Sequence, residues 1–450
     1  MNKLKFLWSN LRSSLWFLPT LIVGASVLLA IALIEADSTL SDRWLDRWPR
    51  LFGAGAAGAR GMLSTIAGSM MSVVGITFSM TLVALAMASS QYTSRVLRNF
   101  MGSRVTQAVL GVFAGIFTYC LIVLRTIRGG DEGAYVPGLA VFFGFVLAVG
   151  GVGVLIFFIH HVASSIQASS IIASAAEETI HALDRLFPQR LGNSLAEAGE
   201  GQSPPPLLDR KWHLVPAAES GYIQGVDNAA LLRLARQRKI VVRMERGVGE
   251  FVVENTPLVS LTLDAPPDSK TMVELQAAFI LSRYRTVEQD AAFGIRQIVD
   301  VALKALSPGI NDTTTAVTCV DYLAMILARL APQHIPESHR YEDGALRVIA
   351  KGPSFQSLLS GAFDQIRASA KGNLGIMLRM LDSLEAIASL TADSIRRQAL
   401  HEHVEWIAEL ARRTLESPHD RTCFQRRLGQ VRESLKTEPM RLIHEQPTKV

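Results

Sequence analysis

Five polar side chains in the second half of this 450-residue chain are its best candidates for chemistry: Glu288, Asp290, Asp300, Asn311 and Asp312. Carboxylates joined by an amide oxygen suit a hard cation such as Mg²⁺ or Ca²⁺, or acid–base work on a bound water. Nothing in their spacing makes them converge, however. Asp312 stands where the N-cap of a helix over 313–331 belongs. Arg296, Asp300 and Lys304 make an i,i+4 ladder on the polar face of a helix over 288–306, each pair contributing tenths of a kcal/mol. Glu288 falls in that helix's first turn, where an acid complements the dipole. His401 and His403 flank Glu402, but imidazoles two residues apart on a helix point to different faces and make no metal site. Cys120, Cys319 and Cys423 are odd in number and far apart, which supports neither a disulfide framework nor a structural zinc and suits a reducing compartment. No P-loop, dinucleotide fingerprint, GxSxG or HExxH occurs, so no enzyme is expected and no cofactor is implied.

The elements that must carry these residues fall into two environments. Half of the residues are hydrophobic, yet 19% are charged, and the charges crowd into the second half. The net charge of +5 is modest and dispersed, which excludes a nucleic-acid stripe. Residues 15–34, 62–89, 105–124 and 135–159 hold no Asp, Glu, Lys or Arg, and each supplies the ~20 apolar residues that a ~30 Å hydrocarbon core demands. Four transmembrane helices are therefore expected within 1–162. A carrier driven by protons or sodium needs an ionisable group inside the membrane, and these spans offer none. The basic counts on the two sides of the membrane tie, so the reduced cysteines decide for termini and soluble region on the cytosolic side.

The second span carries the most pattern. Gly61, Thr65, Gly68, Ser72, Gly75, Ser79, Leu82, Ala86 and Ser89 recur in alternating steps of four and three. That 3.5-residue period belongs to a left-handed packed seam, and small residues are what allow helix backbones to approach in lipid. The stripe reads either as packing inside one subunit or as the axis of a homo-oligomer, lining or sealing a pore. After it, Arg95, Arg98 and Arg104 alternate with apolar residues at helical spacing, as a segment lying on an anionic membrane surface would. Gly111 and Gly115 form a GxxxG pair in the third span. Gly144, Gly150, Gly151 and Gly153 are positioned to loosen or kink the fourth, and His160 and His161 close it at headgroup level.

Residues 163–187 continue as a helix, and a Gly/Pro/Ser-rich linker completes a 163–211 connection. Residues 212–267 read as a small β-barrel-like unit with strands at 221–224, 240–243, 250–253 and 258–263 around a helix at 228–238. The rhythm of GVGEFVVENTPLVSL resembles a biotinyl or lipoyl carrier, but no Lys sits at the turn, and that reading fails. Residues 268–450 are mainly helical, with a short extended stretch at 345–350. The fold class expected is an α-helical membrane domain followed by a soluble α+β domain, the β unit plus a helical bundle.

The stretch RTVEQDAAFGIRQIVDVALKALSPGINDTTTAVTCVDYLAMILARL, with SSQYTSRVLRNFM, GYIQGVD and GEFVVENTPL, resembles the signature of a bacterial membrane-protein family, domain of unknown function 2254. Members often carry Pro after the Asn-Asp pair, where Thr313 stands here. The resemblance covers nearly the whole chain and implies multi-pass topology in the bacterial inner membrane, without implying a chemistry. The expected partners are the lipid bilayer and a second copy of the chain, with ions as candidate cargo. The reading that results is a passive channel with a cytosolic vestibule. The alternative is a membrane-anchored regulatory or ligand-binding scaffold, and a third, metal-dependent catalysis, lacks a motif.

Overall fold

The computed structural model describes residues 16–39, 55–91, 104–128, 135–165, 167–186, 211–333, 335, 338–342 and 344–437, and the chain divides into two compact units at Ser170/Ile171.

The first unit is four long helices: α1 (Phe17–Thr39), α2 (Ala56–Gln91), α3 (Arg104–Thr126) and α4 (Gly138–Ser165). α3 is the hub, because two glycines let α1 approach it closely. A Cβ on Gly111 would lie 2.8 Å from Ile22 Cδ1 and 2.9 Å from Pro19 Cα, and one on Gly115 would overlap the Ser26 hydroxyl. In lipid such backbone approach, rather than hydrophobic burial, joins helices. α4 docks through Gly144 against Leu63 and Tyr119, and through Gly151 against Ile116, Met70 and Phe113. The Tyr119 hydroxyl donates to the Ala140 carbonyl at 2.8 Å, which satisfies a buried phenol inside the bundle. These contacts set α1 and α3 parallel to each other and α2 and α4 antiparallel to them. Arg60 at the start of α2 donates to the Ile127 carbonyl at the end of α3 (2.7 Å), and Asp37 at the end of α1 accepts from the Leu139 amide that opens α4 (3.1 Å). The four glycines expected to loosen α4 leave it unbroken. Two of them face neighbours closely and the other two, Gly150 and Gly153, meet nothing.

The expected continuation over 163–187 is instead a separate helix, α5 (Ala168–Leu186). The Ser164 and Ser165 hydroxyls turn back onto the His160 and His161 carbonyls just before the break. Such bonds compete with the ladder and favour an end there.

The second unit mixes small sheets with helices. Its strands are β1 (Trp212–Pro216), β2 (Gly221–Val226), β3 (Val242–Met244), β4 (Phe251–Val252), β5 (Pro257–Thr262), β6 (Phe279–Ser282), β7 (His339–Glu342) and β8 (Ala345–Ile349). They form a five-stranded sheet in the order β1-β5-β3-β8-β7, in which only β3 and β8 run parallel, and a three-stranded antiparallel sheet in the order β4-β2-β6. The two sheets share one core, with Val215, Ile223, Val242, Leu258, Leu261 and Val348 in it. Among the described residues the strands form these two sheets rather than one closed ring. β6 and the β7–β8 hairpin lie beyond the 212–267 span expected for the β unit and pair with strands inside it.

Helices α6 (Asn228–Arg238) and α7 (Ser269–Gln276) pack into that core through Leu231, Leu234 and Leu275. The remaining helices are α8 (Ala291–Ala305), α9 (Thr313–Leu330), α10 (Phe355–Ser369), α11 (Leu374–Ala388), α12 (Ser394–Thr414) and α13 (Pro418–Lys436). Aspartates begin many of them: Asp227, Asp268, Asp290, Asp312 and Asp393 each accept backbone N–H groups of the first turn. Among the described residues five helices are long and apolar enough to cross a membrane, α1 to α4 and α9. α9 buries Cys319, Val320, Leu323, Ile326 and Leu327 within the second unit.

Candidate functional site

The small-residue stripe of α2 lies on the outside of its bundle. Ala59, Leu63, Ala67, Met70, Thr77 and Ala84 form the buried side of α2, whereas Gly61, Thr65, Gly68, Ser72, Gly75, Ser79, Leu82 and Ala86 are exposed. A Cβ built on Gly61, Gly68 or Gly75 meets no atom within 4 Å. Among the described residues the stripe packs on none of the chain's own helices. Three hydroxyls on this face, those of Thr65, Ser69 and Ser72, are satisfied locally. Thr65 donates to the Gly61 carbonyl (2.8 Å), Ser69 to Thr65 (2.8 Å) and Ser72 to Gly68 (3.1 Å). Such a face can meet lipid, protein or water without leaving a polar group unpaired.

Two buried polar groups on the opposite side were not singled out from the sequence. Thr77 Oγ1 on α2 and Gln107 Nε2 on α3 are the buried side-chain atoms of the first unit left without a partner among the described residues. The antiparallel run of the two helices brings them to a similar level. A Gln inside an apolar span was the available signal. Arg104 is exposed at the first residue of α3, while Arg95 and Arg98 lie outside the described residues.

The five acidic and amide residues of the second unit do not gather. Asp290 caps α8, accepting from the Phe293 amide at 3.0 Å. Glu288 lies two residues before that cap and is exposed, so the helix starts at Ala291 and not at 288, because the cap carboxylate fixes its first turn. Asp300 pairs with Arg296 at 2.7 Å, ten residues or about 15 Å of helix rise from Asp290. Asn311 takes the left-handed conformation (φ 49°) in the α8–α9 turn, and Asp312 caps α9. Asp312 accepts from the Thr315 hydroxyl at 2.5 Å and its amide at 3.0 Å, and these bonds hold its carboxyl below the usual range.

Asp290 has a different set of neighbours, which the family-bearing stretches bring together. Arg285 donates to its Oδ2 through Nε at 2.8 Å and pairs through Nη2 at 2.7 Å. Burial pushes the Asp290 carboxyl up, against the pull of Arg285 and the Phe293 amide. Gly249 (φ 85°) lies directly on this pair: a Cβ there would overlap Asp290 Oδ2 and stand 2.8 Å from Arg285 Nη2. The neighbouring Gln289 accepts from the Val226 amide at 3.1 Å and covers Gly225. Thus GYIQGVD, GVGEF and RTVEQD meet at one joint that ties β2 and β4 to the start of α8. Its polar atoms are spent on one another, and it has the chemistry of a structural clamp.

Taken together, four charge-poor helices and a separate mixed α/β region define an integral membrane protein with a large soluble part. The signature of one family of predicted membrane proteins, domain of unknown function 2254, matches residues 12–386, and the chain belongs to that family. Uncharacterised proteins of Mycobacterium bovis and Mycobacterium tuberculosis are 30% identical to it over 431 residues, covering 94% of this chain and 80% of each relative. No solved structure matches the chain.

Proposed function

We propose that the protein is a homo-oligomeric, passive conduit of the bacterial inner membrane, built on four spans, with α2 of each copy toward the axis. The observation that carries this reading is the open stripe on α2, where Gly61, Gly68 and Gly75 meet nothing within 4 Å. A face of small residues gains nothing over leucine against lipid, but it allows another backbone to come close. A second copy supplies that backbone, and the 3.5-residue period suits the left-handed crossing of helices around an axis. α9 is a core helix of the soluble region in this reading, and both termini are cytosolic. A second reading, a dry oligomeric anchor for the soluble region, is favoured by one fact: Thr65, Ser69 and Ser72 bond to their own helix and require no water.

Cysteine accessibility separates the two. Cys120 and Cys319 are buried, so replacing the half-buried Cys423 by Ser gives a quiet background. In it, Ser72→Cys or Ser79→Cys is expected to react with a charged, membrane-impermeant thiol reagent, and conductance in planar bilayers is expected to fall on reaction. Inert thiols at 72 and 79, with a reactive Ser41→Cys control and no conductance from the purified protein, would sink the conduit and leave the anchor.

A further inference from the structure

At the end of the bundle where α1 and α3 finish and α4 begins, a cleft of about 620 Å³ opens beside the ends of α1 and α3. Its volume lies within the ~300–1,000 Å³ of small-ligand sites. The lining has two chemistries at two depths. Ile31 and Ile34 on α1 and Ile122 on α3 are apolar and lie on the membrane side. Glu35 follows Ile34 directly, and Arg125 and Arg128 lie three and six residues past Ile122 toward and beyond the end of α3. At ~1.5 Å per residue, Arg125 and Arg128 stand roughly 4–9 Å beyond Ile122, which is the step from acyl chain to headgroup. The carbonyl end of α3 favours the two arginines there and opposes a bare anion, so a phosphate at this place is held by the guanidiniums themselves. Both arginines are exposed, and neither side chain has a hydrogen-bond or ion-pair partner among the described residues. Tyr135 closes the outer end, its amide and carbonyl paired with Arg128 and its hydroxyl donating to the Ile34 carbonyl at 3.4 Å.

From this arrangement we infer that the cleft is a binding site for one membrane phospholipid, the phosphodiester on Arg125 and Arg128 and the head of an acyl chain on Ile31, Ile34 and Ile122. Guanidinium is the side chain best matched to phosphate oxygens, because its fixed fork offers parallel donors. Two guanidiniums against one carboxylate in the lining favour an anionic group such as a phosphodiester. The isoleucines give a free phosphate ion no partner, so the site selects the lipid over the inorganic anion. Nothing in this inference depends on whether α2 lines a pore.

The test uses the full-length protein in mild detergent. Native mass spectrometry is run with added phosphatidylglycerol, with diacylglycerol of the same chains, and with inorganic phosphate. One phosphatidylglycerol per chain is expected to bind and to raise the melting temperature, and diacylglycerol and phosphate at equal concentration are expected to do neither. Arg125→Gln and Arg128→Gln are each expected to weaken lipid binding about tenfold, and Arg104→Gln at the opposite end of α3 is expected to leave it unchanged. The paired change Arg125→Lys with Arg128→Lys keeps the charge and is expected to retain part of the affinity, which guards against a variant that merely misfolds. Equal retention of lipid by the wild type and the Arg125→Gln/Arg128→Gln double variant would overturn the assignment. So would stabilisation by inorganic phosphate as strong as that by the lipid.

Discussion

Gly249→Ala is the sharpest probe of the joint that the family-bearing stretches build. Gly249 has φ 85°, and an alanine in a left-handed backbone costs ~1–2 kcal/mol before any contact is considered. Its methyl would then overlap Asp290 Oδ2 and lie 2.8 Å from Arg285 Nη2, so one side must yield. If the ion pair yields, a largely buried carboxylate loses its partner, a loss of ~3–5 kcal/mol. If the loop yields, the bonds from the Gly249 amide to the Ile223 carbonyl (2.8 Å) and from the Ile223 amide to the Glu250 carbonyl (3.0 Å) weaken. Those two are worth ~0.5–1.5 kcal/mol each. The chain follows the cheaper route, so the expected loss is about 2–5 kcal/mol and is local to β2, β4 and the start of α8. Amide hydrogen exchange of the full-length protein reads it directly, since ~1.4 kcal/mol is a factor of ten in the opening constant. Peptides over 221–226 and 247–253 should exchange at least thirtyfold faster in the variant. Gly352→Ala, whose Cβ meets nothing within 4 Å, is the silent control. Exchange within threefold of the wild type in those peptides would show that the joint is not a clamp.

Two further predictions concern single side chains of the second unit. Asp312→Asn should be nearly silent in thermal unfolding, since Asn caps about as well, whereas Asp312→Ala should cost ~1 kcal/mol; an Asn variant as damaged as the Ala variant would mean that the charge itself is needed. His403 is buried, with Nδ1 2.9 Å from the Ala399 carbonyl and Nε2 unpartnered 3.7 Å from Asp364 Oδ1. Burial pushes its pKa down, aided by Arg367 and opposed by the Ala399 carbonyl, Asp364 and Glu402. The folded chain therefore holds this imidazole neutral while the unfolded chain takes up a proton near its ordinary pKa of ~6.5. Its contribution is complete above about pH 6.5 and is lost as the pH falls below it, so His403→Gln should flatten the fall in melting temperature between pH 6.5 and 5. An unchanged slope in that variant would refute the assignment.

What the sequence made legible was whatever depends on local chemistry. The helix at 228–238 has the bounds expected because Asp227 caps it and Lys239 ends it in the left-handed conformation. The helical period over 288–306 predicts a buried stripe through Ala291, Ile295, Ile298, Val299, Ala302 and Leu306; the first five are buried in α8, while Leu306 is the half-buried C-cap. The extended stretch at 345–350 appears as β8. β1, β6 and β7 were missed for one shared reason. Each is four or five residues long, and each is a strand through pairing with a segment remote in the chain: β1 with β5, β6 with β2, and β7 in a sheet that reaches β3 through β8. No local period in FILS or HRYE records those partners. The lipid-facing cleft was illegible for a similar reason, since Ile31 and Arg125 are joined only by the parallel run of α1 and α3. The Asp290 joint was only partly legible: Asp290 was singled out, but Arg285 and Gln289 were not, and their convergence on Gly249 depends on a loop crossing that spacing cannot give.

The glycines of the first unit divide in a way that bears on the proposed axis. Gly111, Gly115, Gly144 and Gly151 are each spent on a close approach between helices of one chain. Those four contacts are enough to hold α1, α3 and α4 together, and α2 joins them through Leu63 and Met70 on its other side. Among the described residues, internal packing therefore takes nothing from the stripe of Gly61, Gly68 and Gly75. Glycine in a helix interior costs roughly 0.5–1 kcal/mol relative to alanine, so three of them at a fixed 3.5-residue rhythm are a repeated expense on a face that lipid alone would not repay. A backbone brought to that face repays it, and a face on which Thr65, Ser69 and Ser72 close on their own carbonyls serves a dry seam or a wet lumen equally well. The difference between anchor and conduit then reduces to how many copies surround the axis. Two helices crossing on glycine leave no lumen, and a larger ring with the stripe inward does. A mass measurement of the detergent-solubilised assembly that gives a dimer would therefore count against the conduit before any conductance is recorded.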